Sequence, residues 1–167
     1  MILFALLLAA QALLWNYLNF SQYLMVAFLP VMVLCIPIQR GTVYSMIVAF
    51  VAGFLVDFFV GGMLGLTCLA LVPVGLVRRG LISLVFGQEV FSRGENISIR
   101  RQGTGKMSLG IAMATALFLI IYIWADGAGT RPFWFNALKV IISLAVSVPV
   151  SLFVSEILAT EDSSIWR

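Results

Sequence analysis

Hydrophobic residues fall into six long runs along the chain, and short polar stretches separate most of them. Each run approaches the roughly 17–25 residues that an α-helix needs to cross the hydrocarbon core of a bilayer. Most links are short, so neighbouring helices are expected to run antiparallel. The pattern predicts one all-α domain over residues 1–167, a six-helix transmembrane bundle with the spans Ile2–Tyr17, Tyr23–Ile38, Thr42–Val60, Met63–Val77, Ser108–Ala125 and Phe133–Leu158.

The third run carries a small or polar residue at every fourth position, namely Ser45, Ala49, Gly53 and Asp57. A spacing of four places these residues on one face of a helix, while the other faces carry large apolar side chains. In a membrane, small residues allow a second backbone to come close, and a carboxylate normally faces protein or water. This stripe therefore predicts a packed contact with another helix or with a partner protein.

Composition and charge agree with an integral membrane protein, because 62% of the 167 residues are hydrophobic and only 10% are charged. Cytoplasmic loops of membrane proteins carry an excess of Lys and Arg. If both termini are cytoplasmic, only Arg131 and Lys139 of the ten basic residues lie on the outer side. The remaining basic residues are then on the inner side, and they are Arg40, Arg78, Arg79, Arg93, Arg100, Arg101, Lys106 and Arg167. Both termini are therefore expected in the cytoplasm.

The one extended polar stretch, about residues 87–107, is predicted to be a cytoplasmic loop. Just before it, Arg78 and Arg79 interrupt the fourth hydrophobic run, and we expect both side chains to extend toward the inner membrane surface. The apolar residues 81–86 that follow are expected either to lie at the interface or to continue the helix. Anionic lipid headgroups would favour this placement. The predicted cytoplasmic basic face consists of Arg78, Arg79, Arg93, Arg100, Arg101 and Lys106.

A second pair of charged residues is predicted near the outer ends of two helices. Asp57 lies about one turn from the end of the third span, and Lys139 lies one to two turns inside the sixth, at a rise of about 1.5 Å per residue. Because the two share a depth, an intramembrane ion pair between them is one expectation. Direct contact of Asp57 with a partner protein is the other, since unmatched carboxylates are rare within membranes.

The residues that most often carry catalysis or bind metals are scarce. The chain has no His, which removes the commonest general base and metal ligand. Asp57 and Glu156 are predicted near opposite membrane surfaces, so they cannot act as a catalytic pair. Cys35 and Cys68 lie in predicted spans and are expected to be free thiols. We therefore expect no enzymatic activity, no cofactor, no metal and no nucleic-acid partner.

The segment Ala52–Phe59, followed by Gly62-Met63-Leu64-Gly65-Leu66, resembles the central region of the rod shape-determining protein MreD family. In that family a Gly-x-x-x-Asp helix runs into a Leu-Gly turn, and Gly53, Asp57 and Gly65 match these positions. The resemblance implies a scaffold of the bacterial inner membrane that belongs to the cell-elongation machinery. Its expected partners are the periplasmic scaffold MreC, the MreB filament and the peptidoglycan synthases.

The resemblance also implies a fold similar to the substrate-binding subunits of energy-coupling-factor vitamin transporters. This fold leaves an alternative function open, namely a vitamin-transporter subunit, because Ala5 and Ala9 resemble the small-residue stripe with which such subunits dock on their membrane partner. A substrate subunit needs polar side chains around an outward cavity, and the sequence offers few of them. A membrane enzyme is a third alternative, which the missing His opposes.

Overall fold

The computed structural model describes residues 2–17, 25–37, 40–60, 63–87, 103–127 and 132–165 of the chain. The described residues form six α-helices, which we number in chain order: α1 Ile2–Tyr17, α2 Leu29–Leu34, α3 Thr42–Val60, α4 Leu66–Phe86, α5 Thr104–Gly127 and α6 Phe133–Ile165.

Four of these helices, α3 to α6, are long and apolar enough to cross a membrane, whereas α1 is a shorter apolar helix. An all-α chain with multiple potential membrane spans is therefore confirmed. Helix α4 continues to Phe86, nine residues beyond the predicted end at Val77. It continues because Leu81, Ile82 and Phe86 are buried and extend the apolar face that α4 turns toward the core.

The second predicted span is wrong as a continuous helix. Of the described residues in this span, only Leu29–Leu34 is helical, and the preceding residues Met25 to Phe28 have no regular structure. All six residues of α2 are nevertheless buried. The hydrophobic residues 27–34 are buried on every side and do not form a lipid-facing helix, and hydropathy alone does not distinguish the two.

Helix α2 lies at the centre of the bundle and contacts each of the other five helices. Around it, the close packing partners follow the order α1, α3, α4, α5 and α6. Helices α6 and α1, at the two ends of this series, are not closely packed on each other within the described residues. Since α2 is short, it does not fill the whole interior. In another part of the bundle, the aromatic ring of Tyr122 on α5 contacts the rings of Trp15 and Phe118.

Candidate functional site

The stripe of small and polar residues on α3 lies against α4. Ser45, Ala49, Gly53 and Asp57 are all buried. A Cβ atom built on Gly53 would lie 2.9 Å from both the Cα and the backbone N of Cys68 on α4, so the two backbones are in direct contact there. Gly75 makes the reciprocal approach on α4, because its Cβ would lie 3.1 Å from the carbonyl oxygen of Ser45. The small residues thus allow two helices to approach along much of their length.

At the end of this contact, the Asp57 carboxylate accepts hydrogen bonds from the first backbone N–H groups of α4. Its Oδ2 is 2.9 Å from the N of Gly65 and 3.0 Å from the N of Thr67, and its Oδ1 is 3.3 Å from the latter. Gly65 is the N-cap of α4 and has no side chain to satisfy these donors. Asp57 therefore replaces the missing cap from the preceding helix, and its charge is favourable at the positive end of the α4 dipole.

The expected ion pair between Asp57 and Lys139 does not form, because the two side chains have other partners. The Lys139 ammonium instead lies 3.9 Å from Oδ2 of Asp126, across the connection between α5 and α6. Helices α3 and α6 are not neighbours in the described bundle, so their shared depth does not bring the two side chains together. A common depth in the membrane restricts one coordinate only, and the order of the helices decides which residues meet.

Gly65 has a conformational role and does not pack against another helix. Its φ of +96° lies in the left-handed region, which favours glycine, and a Cβ built on it would meet nothing within 4 Å. Of the two roles expected for this glycine, partner binding or helix packing, the close packing against another helix is therefore wrong, and partner binding stays a prediction. Its positive φ reverses the chain direction, so that the Gly65 N–H points back at Asp57.

Arg78 is buried, which corrects the expectation that it extends to the membrane surface. Its Nε donates to the carbonyl oxygen of Leu34 at 3.2 Å, one Nη donates to the carbonyl oxygen of Ile36, and the other donates to Oγ of Ser45 at 3.2 Å. The guanidinium thus satisfies carbonyl groups at the end of α2, where the helix dipole also favours a positive charge. Its planar set of donors suits several acceptors at once.

The other residues of the predicted basic face are only partly described. Arg79 and Lys106 are exposed, as expected of a surface that meets water or headgroups. Arg93, Arg100 and Arg101 lie outside the described residues. Arg78 therefore does not belong to the basic face. Arg79 points to a different environment from Arg78 because successive residues of a helix are about 100° apart.

A buried polar network, which the sequence analysis missed, surrounds the irregular segment Met25 to Phe28. Gln11 on α1 donates from Nε2 to the Val26 carbonyl oxygen and accepts at Oε1 from the Phe28 N–H, both at 3.0 Å. Trp15 donates from Nε1 to the same carbonyl oxygen at 2.7 Å. These bonds replace the helical bonds that the segment lacks, as buried backbone groups require.

Two serines of α6 complete this network. Oγ of Ser143 accepts from the Met25 N–H at 3.0 Å, and Oγ of Ser147 accepts from the Ala27 N–H at 3.1 Å. The sequence contained a signal for them, because Ser143, Ser147, Ser151 and Ser155 recur at every fourth position of one hydrophobic span, and Gln11 is a polar residue in the middle of another. Polar residues that share a face within a membrane span indicate buried polar contacts.

The described residues contain no group of three or more His, Cys, Asp or Glu side chains that could hold a metal ion. Cys35 and Cys68 are not joined in a disulfide, and Sγ of Cys68 donates to the carbonyl oxygen of Phe50 at 3.3 Å. The hydrogen bonds of Gln11, Ser143, Asp57 and Arg78 join helices to one another or to the segment before α2. No known family, curated protein or solved structure matches the chain.

Proposed function

We propose that this protein is a non-enzymatic scaffold of the bacterial inner membrane that binds an MreC-like periplasmic protein and links the MreB filament to peptidoglycan synthesis. The observation that carries the proposal is the turn between α3 and α4. The three residues that resemble the MreD pattern act there as one unit: Gly53 permits the close approach, Asp57 caps α4 and Gly65 reverses the chain. A motif whose positions depend on one another supports the resemblance better than three independent matches.

The use of the buried charges supports a role in assembly rather than in catalysis. Asp57 and Arg78 are the charged side chains that are buried among the described residues. Both hydrogen bond to backbone groups at helix ends and thereby join neighbouring helices. A catalytic carboxylate would need to face a substrate, whereas Asp57 faces the first turn of α4.

For the topology, we propose six membrane crossings with both termini in the cytoplasm. The irregular residues before α2 extend by up to about 13 Å, and the six helical residues add about 9 Å. Together they cover up to about 22 Å of a hydrocarbon core of roughly 30 Å. The network around Met25 to Phe28 supports this crossing, because non-helical backbone is tolerated at membrane depth where protein surrounds it.

The topology predicts that single cysteines at Gln102 and Ala128 become labelled from opposite sides of the membrane. Both would be introduced into a protein that lacks Cys35 and Cys68. A membrane-impermeant maleimide applied to intact spheroplasts should label Ala128→Cys only, and Gln102→Cys should react after the membrane is opened. Labelling of both from outside would contradict the topology, as would labelling of Gln102→Cys alone.

The scaffold role predicts a stable complex with the MreC-like protein of the same bacterium. After co-expression, the tagged protein should retain that partner through affinity purification and size-exclusion chromatography. An unrelated multi-span protein with the same tag, expressed at the same level, is the control for retention through shared detergent micelles. Separate elution of the two proteins under conditions in which each is monodisperse would contradict the proposal.

A vitamin-transporter substrate subunit is the second candidate, and one observation favours it. Ala5 and Ala9 are exposed on α1, so a small-residue stripe is available for contact with another membrane protein. This function predicts that the protein co-purifies with the membrane subunit and ATPase pair of such a transporter, and that it does not retain the MreC-like protein. The same purification therefore separates the two functions.

A further inference from the structure

Two helices at the ends of the packing order, α1 and α6, are joined in a different way from the other neighbouring pairs. Helix α1 packs on α3, and α6 packs on α5, yet α1 and α6 are not close packing partners within the described residues. The irregular segment Met25 to Phe28 lies between them and is hydrogen bonded to both. We call this place the α1–α6 seam.

The backbone groups of the segment alternate between the two helices. The N–H groups of Met25 and Ala27 donate to serine hydroxyls of α6, whereas the Val26 carbonyl and the Phe28 N–H bond to Gln11 of α1. Such alternation is typical of extended chains, in which every second residue points the same way. Two extended residues advance by about 6.6 Å, close to the roughly 6 Å of four helical residues, so serines four apart match N–H groups two apart.

The bonds across this seam are of a different kind from those between α3 and α4. Across the α1–α6 seam, the hydrogen bonds of the described residues join a side chain of one helix to the backbone of the segment. Between α3 and α4, the backbones themselves touch at Gly53 and Gly75. Separating α1 from α6 would break a few side-chain bonds, whereas separating α3 from α4 would also expose two closely packed helix faces.

We propose that the bundle opens at the α1–α6 seam, and that the Gln11 amide and the Ser143 and Ser147 hydroxyls are the latch that holds it closed. In the open state, residues 25–28 leave both the serines of α6 and Gln11 of α1, while α3 and α4 remain packed. Although Ala27 and Phe28 are buried, side-chain bonds rather than close backbone packing hold the segment to the two helices. Local opening of such a segment requires less free energy than separation of the core of a fold. The inference concerns a movement of this chain and does not depend on the scaffold role.

Hydrogen exchange of the protein in lipid nanodiscs, resolved to single amides, tests the opening without any substitution. The amides of Ala27 and Phe28 should exchange about tenfold or more faster than the buried amides of Ala49 and Val56 on α3, because local opening requires less free energy than separation of the core. Equal rates at all four positions would overturn the proposal, because the segment would then open only with the whole bundle.

Ser147→Ala tests the latch. If the segment leaves as a unit, exchange should become faster at Phe28 as well as at Ala27, although the Phe28 acceptor on Gln11 is unaltered. Exchange at Ala49 and Val56 should stay the same. Acceleration confined to Ala27, or equal acceleration on α3, would overturn the latch, since the first indicates one lost bond and the second a general loss of stability.

Ser155→Ala is the matched control, because Ser155 is buried on the same helix and its hydroxyl bonds to the carbonyl of Leu152 in its own helix at 2.7 Å. The Ser155→Ala variant should exchange as the wild type does.

A disulfide between Ala27→Cys and Ser147→Cys, in a protein lacking Cys35 and Cys68, should slow exchange at Phe28 to the α3 rate, and reduction should reverse this. Fast exchange at Phe28 in the oxidised protein would place the opening elsewhere and overturn the proposal.

Discussion

Gly53→Leu is expected to prevent assembly of a monodisperse protein. The first added atom, Cβ, would lie 2.9 Å from the Cα and N of Cys68, which are backbone atoms that cannot rotate away. Gly53→Ala should already destabilise the protein by about 1–3 kcal/mol, the usual range for added atoms in a packed core, and the leucine should cost more. Membrane yield and the size-exclusion profile in detergent measure the effect.

Val51→Leu is the matched control for this substitution, because Val51 lies on the same helix but is 49% exposed on the surface of the bundle. It should behave as the wild type does. Trimming the opposing side chain by Cys68→Ala should not rescue Gly53→Leu, because the contact is with backbone atoms of Cys68. Equal yields for Gly53→Leu and Val51→Leu would refute the close approach of α3 and α4.

Asp57→Ala is expected to lower the free energy of unfolding by about 2–4 kcal/mol, because an unsatisfied buried donor costs roughly 1–3 kcal/mol and two N–H groups lose their acceptor. Gly65 cannot compensate, since it has no side chain with which to cap α4. Asp57→Asn should have a smaller effect, because its amide oxygen still accepts a hydrogen bond while the charge at the helix end is lost. Thermal or denaturant unfolding in detergent measures both changes.

The partners of Asp57 also predict how its substitution combines with that of Lys139. Lys139 pairs with Asp126 rather than with Asp57, so the effects of Asp57→Ala and Lys139→Ala should add. If the double variant is clearly more stable than the sum of the two single effects predicts, Asp57 and Lys139 interact directly. If Asp57→Asn leaves the stability unchanged but abolishes retention of the MreC-like protein, the carboxylate contacts that partner and does not cap α4.

Periodicity within one element predicted the contact surface of α3 well. Ser45, Ala49 and Gly53 are small and four residues apart, and these two facts alone place a groove on one face of the helix. Hydrophobic run length likewise identified α3 to α6. For residues 81–86 it left open an interfacial position or a continuation of the fourth helix, and the structure has the continuation. These features depend on neighbours in the sequence, so the sequence was sufficient to find them.

The hydrogen-bond partners depended on the tertiary structure. Asp57 bonds to a turn that exists only because Gly65 adopts a positive φ, and no periodicity indicates where that turn aims its N–H groups. Depth suggested Lys139 as the partner, but the order of the helices around α2 keeps α3 and α6 apart. The sequence showed that a buried carboxylate needs a partner, and the fold decided which one it has.

The sequence by itself determined the class of the protein, its long apolar helices and the face on which α3 packs. Only the tertiary structure decided that residues 25–28 are not helical and that Arg78 is buried. The reason is the distance along the chain over which these features are stabilised: the acceptors for Met25 and Ala27 lie 118 and 120 residues away, and the Leu34 carbonyl that Arg78 binds lies 44 residues away. Backbone polar groups within a bundle must be satisfied, and distant side chains can do this as well as the next turn of a helix.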